Sequence, residues 1–199
     1  RDSSTSRGLG DVYKRQDQYS PNFPDGWSTV DSYTGNNDRY RWNVYYYEKG
    51  TMTGTHCASV DGPMFTGGED GGEGPREEIL LTPELNLDNT YQLSFDWMAA
   101  SKAAIDEGKY DFQVRIVTDG NVEGAETIWS FNNATQLKEN GNVPYPWTAW
   151  TPYKTMIDLS KWQGKSIKVA FVYKMLKATA NVLDLSLIHI SEPTRRRGI

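Results

Sequence analysis

The sequence predicts an all-β fold, two antiparallel sheets packed face to face with at most one or two short helical turns. Three observations carry this. Short runs repeat with a period of two, as in Tyr91–Trp97, Tyr110–Ile116 and Ile167–Tyr173. Turn residues bound nearly every run, and the chain holds 18 Gly and nine Pro. Strands do not alternate with long helices, which argues against a parallel sheet and for about ten short antiparallel strands. At 199 residues the chain suits one domain with a sizeable core.

Taken in order, residues 22–30 (NFPDGWSTV) place a Pro-Asp-Gly turn before a Trp-led strand, and residues 31–38 form a polar turn. Residues 40–47 are an aromatic strand, in which Tyr46 faces opposite to Tyr45 and Tyr47. Residues 55–60 make a short strand. The glycine- and acid-rich stretch 62–78 reads as a solvated loop too polar to contribute core. Residues 79–87 form a strand that Pro83 interrupts, so an edge or bent strand is expected. In the next run Tyr91, Leu93, Phe95 and Trp97 share one face. Residues 98–107 have helical propensity. Tyr110, Phe112, Val114 and Ile116 alternate with Asp111, Gln113 and Arg115, and residues 127–131 add a short strand. A proline- and aromatic-rich loop, 140–153, leads into a strand at 154–158. Gly164 closes a turn, and Ile167, Val169, Phe171 and Tyr173 then alternate with Lys168, Ala170 and Val172 along a strand with one buried face. A last strand starts near Asn181 and is cut at about Leu185.

The two ends differ from the rest. Residues 1–16 contain DVYKRQ and residues 186–199 contain SLIHISEPTR, and both resemble translated sequencing-adapter read-through of the kind seen in metagenomic reading frames. They are expected to be artefactual or disordered tails flanking one domain, 17–185, whose C-terminal strand is truncated. The ends hold seven of the 21 Lys/Arg and three of the 26 Asp/Glu, which leaves 14 basic and 23 acidic residues, net −9. Such a surface disfavours nucleic acid and anionic membranes. No apolar run reaches the length of a membrane span, so no membrane insertion is expected. Cys57 is the only cysteine, which excludes a disulfide framework and fits a small buried residue.

The motifs FPDGWSTVD, Gly35, Trp42, Cys57-Ala58, EILLTPELNL, LSFDW, IDLSKWQGKSIKVAFVY and VLD follow one another in an order that resembles the cleaved-adhesin and choice-of-anchor J domains. The resemblance spans about residues 22–185 and implies a jelly-roll module of a secreted or surface protein of Bacteroidetes-like bacteria. It also implies a structural Ca²⁺ where the first and last strands meet, with Asp31, Asp184 and Glu78 as carboxylate ligands. The chain departs from the family at Asp31-Ser32-Tyr33-Thr34-Gly35, where an Asp-x-Asp-Gly turn is common, and at its last strand, where only Asp184 remains of a paired-Asp motif.

Catalytic chemistry has few resources. His56 and Cys57 are adjacent, so on a strand they point to opposite faces and cannot form a Cys–His pair. No nucleophile elbow, zinc-binding helix motif or phosphate-cradling loop is present. Glu69, Asp70, Glu73, Glu77 and Glu78 lack the spacing that wraps calcium, and a glycine-padded loop cannot hold two carboxylates at a fixed separation. Aromatic side chains are the better resource, because pyranose faces stack on Trp and Tyr. Tyr145 and Trp147, in a proline-stiffened loop, and Tyr46 are the expected ligand-binding residues, whereas Trp42, Trp97 and Trp162 are expected to pack inside. The expectation is a non-catalytic adhesion or carbohydrate-binding module, joined to neighbouring domains, that binds a glycan or an extracellular protein. The alternatives are a ligand-free spacer domain, or a jelly-roll glycoside hydrolase or lyase using Glu77 and Asp96.

Overall fold

The computed structural model describes residues 19–33, 40–46, 56–61, 76–98, 108, 110–131, 153–176 and 185–195. They form twelve strands: β1 (Tyr19–Ser20), β2 (Ser28–Asp31), β3 (Asn43–Tyr46), β4 (His56–Asp61), β5 (Arg76–Leu81), β6 (Leu85–Asn86), β7 (Tyr91–Met98), β8 (Tyr110–Val117), β9 (Glu126–Ser130), β10 (Tyr153–Asp158), β11 (Ser166–Met175) and β12 (Leu185–Arg195). One sheet has the order β1-β3-β4-β12-β7-β10 and the other β2-β5-β11-β8-β9, with β6 beside β11. Every pairing among the described strands is antiparallel. The fold is the predicted two-sheet β-sandwich.

The alternating runs meet between the sheets. Leu93, Phe95 and Trp97 of β7 are at most 1% exposed, as are Ile167, Val169, Phe171 and Tyr173 of β11. Phe95 and Phe171 touch edge to face across the sandwich at 5.6 Å between ring centroids, and Phe112 stacks on Phe171 at 6.3 Å. Trp42, Trp97 and Trp162 join this interior as expected. Cys57 is buried, as expected of a small apolar residue.

Three local details explain the connections. Gly26 (φ 86°) closes the turn before β2, and a Cβ there would stand 3.1 Å from the Pro83 side chain. Pro83 breaks the run between β5 and β6. Thr82 bridges the break, donating from its N–H to Val169 O and accepting from Val169 N–H at Oγ1, both at 3.0 Å. Gly164 (φ 79°) donates to Leu87 O and turns the chain into β11.

Four expectations are corrected. Residues 76–78 are strand rather than loop, because Arg76, Glu77 and Glu78 pair with Met175, Lys174 and Tyr173. The run containing Pro83 splits there: β5 lies between β2 and β11 rather than at an edge, while β6 pairs with β11 alone among the described strands. The second face of β11 is buried too: Ala170 and Val172 pack with Ile79, Leu81 and Val117 beneath Val122 and Ala125 of the β8–β9 connection. Finally, residues 186–199 do not all lie outside the fold. Leu185–Arg195 pairs with β4 on one side and β7 on the other. Leu187, Ile188 and Ile190 make this stretch apolar and partly β-branched, a composition suited to pairing with an open ladder. Residues 98–107 lie outside the described residues except Met98, which ends β7.

Candidate functional site

Of the expected site residues, the structure brings Asp31 and Glu78 together. They are register partners across β2 and β5. The Glu78 side chain is fully buried. Its Oε1 accepts from Tyr33 N–H (2.8 Å), Ser32 Oγ–H (3.1 Å) and Ser32 N–H (3.3 Å). Arg76 Nη1 stands 3.8 Å away, and Arg41 Nε is 4.0 Å from Asp31. Both guanidinium groups lie over the Tyr33 ring, at 5.2 Å for Arg41 and 5.1 Å for Arg76. Glu78 Oε2 is buried with no hydrogen-bond partner among the described residues. Burial pushes the Glu78 carboxyl up to about 7; Arg76 opposes the shift and the Asp31 charge adds to it.

This geometry bears on calcium. The orphaned Oε2 is an oxygen that a cation would satisfy, with Asp31 and Ser32 Oγ nearby, although Ca²⁺ takes about six to eight oxygens. Among the described residues no group of three His, Cys, Asp or Glu is spaced to hold a metal. Asp184 lies outside the described residues, as do Tyr145 and Trp147. Tyr46 is half-buried, its ring 5.0 Å from that of His56.

A second cluster lies on the opposite face of the same strand. Glu77, next to Glu78, points to the outer surface of the sheet. Both its oxygens accept from Arg115 (3.1 and 3.2 Å), and Oε1 also meets Lys174 Nζ at 2.7 Å. Burial pulls the Glu77 carboxyl up, but the bonds and charges of Arg115 and Lys174 win and hold it below the usual range. Asp111 is shifted the other way, raised by burial against the opposing bonds from Gln113 and Phe112 N–H. Ser32 joins the clusters: its Oγ donates to Glu78 and accepts from Glu77 N–H at 3.0 Å. Sequence reasoning missed Arg115 and Lys174. The alternation of β8 places Arg115 on the face away from Phe112 and Val114 but does not show that this face is covered, and Arg115 is 5% exposed.

Val30, Asp31, Ser32, Glu77, Ile79, Arg115, Glu123 and Lys174 line a groove of about 430 Å³ here, within the roughly 300–1,000 Å³ of small-ligand sites. Asp96, the other carboxylate considered for catalysis, lies on β7 in the other sheet, between the core residues Phe95 and Trp97 and opposite Lys154. By alternation it faces the far surface, so Glu77 and Asp96 do not converge.

This architecture defines an all-β fold of two antiparallel sheets packed as a sandwich. The chain is similar to two solved cleaved adhesin domains of Lys-gingipain (Kgp) from Porphyromonas gingivalis. Each is 18% identical; the TM-scores are 0.52 and 0.54, with 88% and 87% of this chain and 94% and 93% of those chains covered. It is also similar to TmCBM61, solved in complex with beta-1,4-galactotriose, at 10% identity and a TM-score of 0.50, covering 86% of this chain and 90% of that one. No protein-family model and no curated protein matches the sequence. Among the described residues no helix is long and apolar enough to cross a membrane.

Proposed function

We propose that this chain is a non-catalytic adhesion or carbohydrate-binding module of a larger secreted or surface-exposed bacterial protein. The observation that carries the reading is the disposition of the acids. Glu77 is bound by Arg115 and Lys174, and Asp96 lies on the other sheet, so these two do not form the facing carboxylate pair that glycosidases use. The fold shared with adhesin domains and with a galactotriose-bound module supports the same class. Its ligand would be a glycan or an extracellular protein, and Tyr145 and Trp147 are the proposed aromatic platform. The test is binding of the full chain to a glycan and matrix-protein panel. Trp147→Ala is expected to weaken the strongest interaction at least tenfold, in keeping with the roughly 1.4 kcal/mol that a tenfold change represents. A chain that binds nothing on the panel would be a spacer. Release of reducing sugar from a polysaccharide would make it an enzyme.

We also propose a structural Ca²⁺ at Asp31, Glu78 and Asp184, with the orphaned Glu78 oxygen as its support. Glu78 makes the test pH-dependent. In the metal-free domain the folded state keeps this proton to about 7, while the unfolded chain releases it near 4.5. Glu78 therefore costs stability increasingly as pH rises from 4.5 to 7, and no more beyond. In EDTA, the melting temperature of Glu78→Gln relative to the parent should rise across that window. At pH 7.5, calcium should raise the parent's midpoint and leave the variant's unchanged. A parent midpoint indifferent to calcium would leave Arg76 and Arg41 to balance these carboxylates and end the calcium proposal.

A further inference from the structure

We propose that the groove beside β2 and β5 is a subsite for a neutral, hydroxyl-rich oligosaccharide. This rests on the binding-module reading and adds the place and the ligand chemistry. Arg115 does not serve as the contact. Its Nε bonds Gln113 Oε1, Nη2 bonds Gln113 Oε1 and Glu77 Oε1, and Nη1 bonds Glu77 Oε2 and Val122 O. All five of its N–H donors are thus engaged. With a side chain 6% exposed, it is a positioning residue that fixes the Glu77 carboxylate against a rigid strand.

What the groove offers outward is different. Lys174 gives one N–H to Glu77 and has two more, on a side chain 33% exposed. Glu77 is 28% exposed and keeps acceptor capacity at Oε2, where only Arg115 Nη1 binds. Asp31 and Glu123 add exposed acceptors at the rim. Val30, 48% exposed, supplies an apolar strip beside them. Paired donors and acceptors next to an apolar surface suit a sugar, whose hydroxyls both give and accept while its C–H face is apolar.

Charge narrows the class. The lining holds three carboxylates, Asp31, Glu77 and Glu123, against two cations, Arg115 and Lys174. Both cations are already committed to Glu77. With Asp31 also facing Arg41 at 4.0 Å, the lining has no excess positive charge to hold a uronate, sialoside or sulfated glycan, which favours neutral sugars.

The experiment uses the full chain against short neutral gluco-, galacto-, manno- and xylo-oligosaccharides, with uronate and sulfated oligosaccharides alongside, followed by calorimetric titration. Val30→Arg fills the groove from an exposed edge strand, and Lys174→Met removes its free donors. Each should weaken binding of the best neutral oligosaccharide at least tenfold while the melting temperature holds. Binding should also persist in high salt, because no ion pair with the ligand is involved. If both variants bind that sugar as the parent does while Trp147→Ala abolishes binding, the groove proposal falls and the binding-module reading stands. Tighter binding of an anionic glycan, or of a matrix protein that neutral sugars do not displace, also overturns it. A parent silent on every probe sinks both.

Discussion

Trp97→Ala will cost about 3–5 kcal/mol of unfolding free energy, the range for a large aromatic removed from a packed core. The residue is 1% exposed and sits among four rings, Trp129, Phe131, Tyr153 and, through Trp129, Phe95, with centroid distances to its direct neighbours of 4.8 to 5.3 Å. Its Nε1–H donates to Thr155 Oγ1 at 2.9 Å, which ties β7 to the edge strand β10. Truncation would open a cavity lined by rigid aromatic faces, which collapse poorly, and would remove the donor to a buried hydroxyl. A domain of this size has only about 5–15 kcal/mol in hand, so the variant should lose much of its margin. Denaturant titration measures the loss. Trp97→Phe separates the causes, because it keeps most of the ring and loses the hydrogen bond; its cost should be near 1–3 kcal/mol. Met156→Ser, at a side chain 57% exposed on the neighbouring strand, should stay within about 0.5 kcal/mol of the parent. A Trp97→Ala midpoint close to that of Met156→Ser would show that the aromatic cluster does not hold the sheets together.

The fold was legible because its strongest signals are one-dimensional. Leu93, Phe95 and Trp97 alternate with Ser94 and Asp96, and such a pattern has one interior solution. The site was less legible for a physical reason. Alternation names two faces but does not say which others will cover them. Ala170 and Val172 read as the outer side of β11, and only the folded β8–β9 connection, through Val122 and Ala125, buries them. Arg115 reads as a solvated charge until Glu77 is seen to lie within reach. Glu77 and Glu78 were assigned to a loop because the glycine-rich run continues up to Gly74, whereas pairing with Tyr173 and Lys174, about a hundred residues away, draws both into strand. Local composition cannot report a partner so distant in sequence. The proposed Asp31–Glu78 pairing came through the family resemblance, and the register supplies it, while the roles of Asp184, Tyr145 and Trp147 lie outside the described residues.

Ending the chain after residue 184 should abolish cooperative unfolding of the first sheet. β12 is the only described strand that joins the β1-β3-β4 half to the β7-β10 half. Its first residues pair with β4, from Leu185↔Asp61 to Ile188↔Ala58, and Leu187 to Arg195 pair with β7, opposite Met98 to Tyr91. Without it two ladders lie open where one strand closed both. Each lost backbone bond is worth only about 0.5–1.5 kcal/mol net, but many are lost together and they border the main core. Open rims of this length also invite pairing between molecules, so the truncated chain should aggregate at concentrations where the parent stays monomeric. The pairing itself suggests that the slot is undemanding. Its register to β7 shifts between Ser191 and Thr194, around Pro193, whose ring nitrogen has no hydrogen to donate. A replacement of residues 186–195 by an unrelated alternating Val/Thr strand of equal length should therefore restore a single transition with a midpoint near the parent's. Circular dichroism melts and light scattering on the three chains decide the matter. A truncated chain that melts like the parent and remains monomeric would mean that β12 contributes nothing to the sandwich. A replacement strand that fails while the parent sequence succeeds would mean that the side chains of 186–195, and not only their backbone, are specified by the fold.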